Sequence, residues 1–342
     1  MSTEKAVLSE KNTQLAKGIL SGDRACLARA ITLMESSRSD HREQADLLQQ
    51  YLLSNRRMQP SNWASPSFRI GVAGPPGAGK SSMIESLGTK LVASGHKVAV
   101  IPIDPSSSVS GGSILGDKTR MDTLSKSENA YVRASPTRCT LGGIAEHTAD
   151  VVSLCESGGY DTVIVESVGL GQSEIELDQA VDIFILLLPP GAGDDLQASK
   201  KGVMEFADLV VVNKADGPLL PLAKATKNDY TYSVRMIRRK CIEWDPKVLM
   251  ISARTGDGMD DFIKTIKEFG DVMSRKNRLN EKRGKQSIYW MWAHFQKLII
   301  DSLHKDSYLQ GRTEKLKLQL VAQTTAPRVA AATLYDTFLE KK

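Results

Sequence analysis

Gly74-Pro75-Pro76-Gly77-Ala78-Gly79-Lys80-Ser81-Ser82 stands between an apolar run, Phe68 to Ala73, and a helical pattern that opens at Lys80. The spacing is G-x-x-x-x-G-K-S, a phosphate-cradling loop that needs a strand before it and a helix after it. The glycines let backbone N–H groups turn toward phosphate oxygens, and the helix N-terminus adds partial positive charge. Lys80 is suited to bridge the β- and γ-phosphates, and Ser81 to ligate magnesium. At average residue frequencies the pattern arises by chance in about 1% of chains of this length. The strand–loop–helix setting lowers that further.

Outward from the loop, residues 67–270 alternate apolar runs with helical patterns. The expected strands are Phe68 to Ala73, Lys97 to Ile103, Asp161 to Glu166, Val181 to Leu188, Asp208 to Asn213 and Lys247 to Ile251. They are rich in Val, Ile and Leu with little polar alternation, as in parallel strands covered on both faces. The expected helices between them are Lys80 to Ser94, Gly143 to Glu156, Leu196 to Phe206, Pro221 to Cys241 and Met259 to Phe269. The pattern predicts an α/β fold, a doubly wound, mostly parallel sheet. Residues 1–66 read as an N-terminal helical segment and linker, with at least two amphipathic helices. Residues 271–342 read as a C-terminal helical arm, striped by Ile288, Trp292, Phe295, Leu298, Ile299 and Leu303.

A nucleotide site also needs a metal ligand and a γ-phosphate sensor. Glu166-Ser167-Val168-Gly169 ends a strand and fits the switch pattern [DE]-x-x-G. There Glu166 can hold magnesium and the Gly169 N–H can meet the γ-phosphate. Asp104 ends another strand at the carboxyl edge of the sheet, where ligands of open α/β folds bind. It is a second candidate, for magnesium or for orienting the attacking water. Alone, each is a strand-end acid; their order after the P-loop gives the reading its weight.

Base choice rests on Asn213-Lys214-Ala215-Asp216, which matches N-K-x-D after a strand. A carboxylate at Asp216 can accept both N1–H and N2–H of guanine. Adenine lacks that donor pair, and an unpaired buried carboxylate discriminates strongly. Ser252-Ala253-Arg254 follows the next strand and fits the loop that closes over guanine O6. GTP or GDP, with Mg2+, is therefore the expected ligand.

Composition narrows the class. The chain has 342 residues, 41% hydrophobic and 25% charged, with a net charge of +5. That is ordinary globular composition with ample length for a core. The charge is dispersed, so no nucleic acid partner is expected. Cys26, Cys139, Cys155 and Cys241 are far apart, which argues against a disulfide framework or a Cys-based zinc site and fits a reducing compartment. No apolar run reaches the roughly 18 residues of a membrane span, so no membrane partner is expected. Met1-Ser-Thr-Glu-Lys5 lacks both an apolar signal core and the Arg-rich character of a transit peptide.

Longer strings make the chain resemble the GTPase family that accompanies methylmalonyl-CoA mutase, the methylmalonic aciduria type A proteins of animals and their bacterial counterparts. They include Arg24 to Leu33, Asp104-Pro-Ser-Ser with Ser110 to Met121, Ser135-Pro-Thr-Arg138 with Thr140 to Gly143, Glu166 to Glu174, and Leu188 to Gln197. The resemblance implies a GTP-hydrolysing chaperone that gates adenosylcobalamin delivery to the mutase and protects or reactivates it. Cobalamin would be met only through that enzyme. Turnover is expected to be slow alone and stimulated by the partner, because no in-chain arginine finger stands out; Arg120 and Arg138 are unassigned candidates. The resemblance further implies a homodimer joined by the C-terminal arm, and switches at 104–120, after Glu166 and at 190–200. Gln197 and Lys200 are the implied coupling residues. Animal members work in the mitochondrial matrix; a prokaryotic member would be cytoplasmic. The rival readings are a nickel or cobalt metallochaperone GTPase, a P-loop kinase or transport ATPase, and a signal-recognition-type GTPase. The first lacks Cys- or His-rich ligand tracts, the second conflicts with the base loop, and the third lacks a Met-rich groove.

Overall fold

The computed structural model describes residues 7–36, 38–56, 61–104, 121–136, 147–167, 173–192, 201–237 and 239–340. The chain divides into two units, Met1–Arg283 and Gly284–Lys342.

The first unit is organised by β1 (Phe68–Ala73), β2 (Val98–Asp104), β3 (Ala130–Val132), β4 (Ser135–Pro136), β5 (Thr162–Glu166), β6 (Ile183–Leu188), β7 (Leu209–Val212) and β8 (Lys247–Met250). The sheet order is β3-β2-β5-β1-β6-β7-β8, with β4 also on β2. Every neighbouring pair is parallel. β1, β5 and β6 are buried almost throughout, so their apolar residues run consecutively instead of alternating. Strand order reverses on either side of β1, which places the loop after β1 at a switch point of the sheet.

The connecting helices are α4 (Lys80–Ala93), α5 (Asp122–Lys126), α6 (Thr148–Ser157), α7 (Ser173–Asp178), α8 (Lys201–Met204), α9 (Leu220–Met236) and α10 (Met259–Arg275). Before them come α1 (Glu10–Leu20), α2 (Arg24–Met34) and α3 (Ser39–Asn55). Ser9 and Asp23 start α1 and α2 by accepting backbone N–H bonds at the N-cap. These helices pack on one another and on α6. The linker carries Trp63, which stacks on Phe68 at 4.8 Å and donates its indole N–H to Thr162 Oγ1 at 2.8 Å. Phe68 and Trp244 each meet Phe269 edge-on, closing one aromatic cluster from the linker, β1 and α10.

Two strands and two short helices escaped the sequence pattern. β3 and β4 are too short for a recognisable apolar run, and Arg133 sits between them. α5 and α7 are too short for helical periodicity. The helix beginning at Met259 runs through position 270 to Arg275, and the expected helix starts at Gly143 and Leu196 lie outside the described residues.

A network of ions secures the amino-terminal edge of the sheet. Glu156 on α6 is buried and accepts from Arg69 on β1, Arg56 after α3 and Ser67. Burial alone would raise its pKa, but Arg69, Arg283 and Arg56 overcome that and hold it at about 2. Arg283 forks onto Asp182, which also caps the β1 backbone by accepting from Arg69 N–H at 2.8 Å.

The second unit continues α11 (Arg278–Lys305) from Gly284 and adds α12 (Ser307–Val321) and α13 (Pro327–Glu340), which pack on each other. Part of the stripe seen in the sequence is open to solvent: Ile288, Trp292, Phe295 and Leu298 are each at least 50% exposed, while Ile299 and Leu303 are half-buried. Among the described residues no helix is long and apolar enough to cross a membrane.

Candidate nucleotide site

Parallel strands bring their carboxyl ends to one edge, and the register shows which residues meet there. Val72 on β1 and Pro102 on β2 are both level with Glu166 on β5. The Gly74 loop, the end of β2 at Asp104 and the end of β5 at Glu166 are thereby neighbours. β7 and β8 end beside them at Val212 and Met250, and release Asn213 and Ser252 on the same edge.

The Gly74–Ser81 loop is shaped by close approach. A Cβ on Gly74 would collide with the Leu187 carbonyl, so β6 admits only glycine there. Gly79 has φ +88° and a Cβ would lie 2.5 Å from Asn213 Nδ2. It is the N-cap of α4 and offers no side chain to close that helix end. A backbone lined by such glycines can approach a phosphate as no side-chain-bearing residue could. Ala78 is buried, Pro75 is half-buried, and Pro76, Gly77 and Ser82 are exposed.

Lys80 is buried, with its ammonium donating to the Gly74 carbonyl at 2.9 Å. The lysine thus lies folded across the loop. Ser81 Oγ donates to Glu166 Oε1 at 3.1 Å, and Glu166 is buried. A hydroxyl and a carboxylate from two elements face each other beside the P-loop; both are hard oxygen donors of the kind magnesium takes. The Asp104 backbone ends β2, opposite Pro136. Gly169, Gln197 and Lys200 lie outside the described residues, as do Arg120 and Arg138.

The base side is tied to the phosphate side by one residue. Asn213 is buried; its Nδ2 donates to the Ala78 carbonyl at 2.9 Å, with Gly79 O at 3.4 Å. Its Oδ1 accepts from the Ala253 N–H at 3.1 Å. Asn213 therefore staples the P-loop to the loop after β8. Lys214 is exposed and takes φ +59°, a left-handed turn that returns the chain toward the sheet edge. The Ala215 N–H then donates to Ile251 O at 3.0 Å. Asp216 accepts from Ser252 Oγ at 2.5 Å on one oxygen and from Arg254 Nη2 at 2.9 Å on the other. Two donors fix the plane of that carboxylate, and each oxygen keeps a further acceptor site. Arg254 is largely exposed, so its ion pair is solvent-screened and adds little stability.

Sequence reading missed two contacts nearby. Thr226 Oγ1 accepts from Gly191 N–H at 2.9 Å, and Tyr230 OH donates to Ala192 O at 3.0 Å. Their spacing of four puts both on one face of α9 and pins the backbone just after β6. The four-residue spacing was visible, but its target depends on the fold. The staple through Asn213 was likewise invisible, because its acceptors are far away in sequence.

Comparison with known proteins gives a consistent result. A sequence profile described as Methylmalonyl Co-A mutase-associated GTPase MeaB matches residues 27–307. The chain is 43% identical over 327 residues to "Methylmalonic aciduria type A homolog, mitochondrial" of Mus musculus, covering 95% of this chain and 79% of that protein. It is 38% identical over 331 residues to GTPase ArgK of Escherichia coli, covering 97% and 96%. Among solved structures, one titled LAO/AO transport system kinase aligns with a TM-score of 0.74 at 30% identity, over 98% of this chain and all of the other.

Proposed function

This chain belongs to the family of methylmalonyl-CoA mutase-associated GTPases, and on that footing we propose that it is a GTP-hydrolysing chaperone of the mutase. The observation that carries the nucleotide half is the Asp216 carboxylate, oriented by Ser252 and Arg254 and joined through Asn213 to the P-loop. Guanine meets the remaining acceptor site of each oxygen with N1–H and N2–H; adenine has no such pair and leaves those sites unfilled. The same observation weighs against the kinase or transport-ATPase reading.

In the mechanism we propose, Lys80 leaves the Gly74 carbonyl and neutralises the β- and γ-phosphate oxygens. The backbone from Gly74 to Ser82 cradles the phosphates at the head of α4. Ser81 and Glu166, with Asp104, would hold magnesium, which supplies charge neutralisation of the phosphates. Asp104 is the proposed alternative for orienting the attacking water, and the Gly169 N–H the proposed donor to the γ-phosphate. Gln197 and Lys200 are the proposed link to the mutase, which accelerates a slow intrinsic hydrolysis. Hydrolysis gates adenosylcobalamin delivery and protects or reactivates the mutase. The open aromatic stripe on α11 supports a homodimer formed through the C-terminal arm. The mitochondrial matrix is the proposed compartment for an animal chain, and the cytoplasm for a bacterial one.

The test is hydrolysis of GTP and of xanthosine triphosphate by the native protein and by Asp216→Asn, each with and without methylmalonyl-CoA mutase. The native protein is expected to prefer GTP and to be stimulated by the mutase. Asp216→Asn is expected to move the preference toward the xanthine nucleotide by about 100-fold or more, the scale of lost buried polar pairing. Unchanged preference removes the base assignment; absent stimulation removes the client.

A further inference from the structure

We propose that Arg133 is a positioning residue for the magnesium side of the site, and that helix α2 is the anchor it uses. The inference rests on the proposed role of Asp104.

β2 carries Asp104 at its end, and its outer neighbour is a weak edge. Val98 N–H donates to Asn129 O at 2.9 Å, and Arg133 N–H donates to Val100 O at 3.0 Å. Residues 98 and 100 of β2 therefore face that neighbour. The next in the alternation is Pro102, which has no N–H to give. The ladder is interrupted there, between β3 and β4, although the register holds on both sides: Val98 lies opposite Ala130 and Ile103 opposite Ser135. β4 is only Ser135–Pro136, and Asp104 lies opposite Pro136. Such a short strand, one residue of it proline, supplies little backbone bonding of its own.

Arg133 sits at this interruption and reaches α2. Its Nη1 donates to the Ala28 carbonyl at 2.6 Å. Its Nη2 donates to Thr32 Oγ1 at 3.2 Å and Glu35 Oε2 at 2.9 Å. A planar guanidinium with acceptors on three residues is held in place, where a single flexible contact would leave it free to move. Ala28 is in the middle of α2, while Thr32 and the Glu35 carboxylate are at its C-terminal end, whose partial negative charge favours a cation. Arg24 makes a second tie, donating to Ser127 O just before β3 at 3.2 Å. The N-terminal helices thereby supply fixation that Pro102 denies to the ladder. The site-side consequence is the position of the Asp104 backbone.

The experiment measures equilibrium binding of a fluorescent non-hydrolysable GTP analogue as magnesium is titrated, in the full-length protein. Arg133→Gln is expected to raise the magnesium concentration for half-maximal tightening by up to roughly 10-fold, the lower end of what loss of direct outer-shell support costs, because Arg133 acts on Asp104 only through the strand backbone. Arg133→Lys should recover part of it, and GDP affinity in chelator should stay within about 2-fold, since no phosphate or base contact changes. A Thr32→Val/Glu35→Gln double variant, which keeps Arg133, should shift magnesium in the same direction and covers the case in which Arg133→Gln fails to fold. If the folded variants titrate like the native protein, the inference is overturned. Asp104→Asn separates the two levels. If Asp104→Asn shifts the titration and the Arg133 and α2 variants do not, the inference alone falls. If Asp104→Asn leaves it unmoved, the metal role of Asp104 falls and takes the inference with it.

Discussion

The two units use aromatic residues in opposite ways. In the first, Phe68, Phe184, Phe262 and Phe269 are fully buried around a sheet whose strands are covered on both faces. In the second, Trp292 and Phe295 are at least half exposed on a helix of the same chain. Both regions carry apolar patterning, and the pattern separated strands from helices but not covered surface from exposed surface. The difference is that a parallel sheet gives every covering helix a flat apolar partner within one chain. On α11, Ile288, Trp292, Phe295 and Leu298 are each at least half exposed. The first region covers its own apolar surface; the second leaves part of its own exposed.

The comparison breaks if the first region tolerates cavities. Phe269→Ala empties a site between Phe68 and Trp244 and is expected to cost about 3–5 kcal/mol, read by urea unfolding. A loss under about 1 kcal/mol would show that this core is not close-packed.

Acid attacks the same region through its buried charges. Glu156 has its pKa lowered from 4.5 to about 2 in the folded chain. The unfolded chain therefore binds the proton first. Its contribution is fully present above pH 4.5 and is lost as pH falls toward 2, about 3 kcal/mol in all. Urea unfolding at stepped pH should show that slope, and Glu156→Gln should flatten it. An equal slope in the variant would assign acid sensitivity to other carboxylates, among them Asp178, which burial would raise but Lys282 and Lys240 hold down.

The smallest stability effect belongs to the second region. Trp292→Ala is expected to change unfolding of the isolated chain by less than about 0.5 kcal/mol, because its side chain is exposed. The same variant should weaken self-association in sedimentation equilibrium while GTP analogue affinity stays unchanged. A large loss of chain stability without a change in association would reverse the contrast between the units.

Much of the fold was legible because buried parallel strands write themselves as unbroken Val, Ile and Leu runs. β1, β5, β6 and β7 are of this kind, and their bounds agree to within a residue or two. The edge was not legible. β3 and β4 total few residues, and what steadies them is Arg133 reaching a helix about a hundred positions earlier. Likewise, N-K-x-D announced a base loop, but nothing in it announced that Asn213 would bind Ala78.

The sequence by itself determined the ligand chemistry: glycines where phosphate must approach backbone, a lysine and a serine at fixed spacing, and a carboxylate four positions into a polar turn. These are local, since each depends on neighbours within one loop. Only the tertiary structure decided which loops share an edge, that Ser81 faces Glu166, and that Asn213 joins the Gly74–Ser81 loop to the loop after β8. Those facts depend on strand order and register, where residues remote in the chain are set level by parallel pairing. Local chemistry is written in the chain, and its convergence is a property of the sheet.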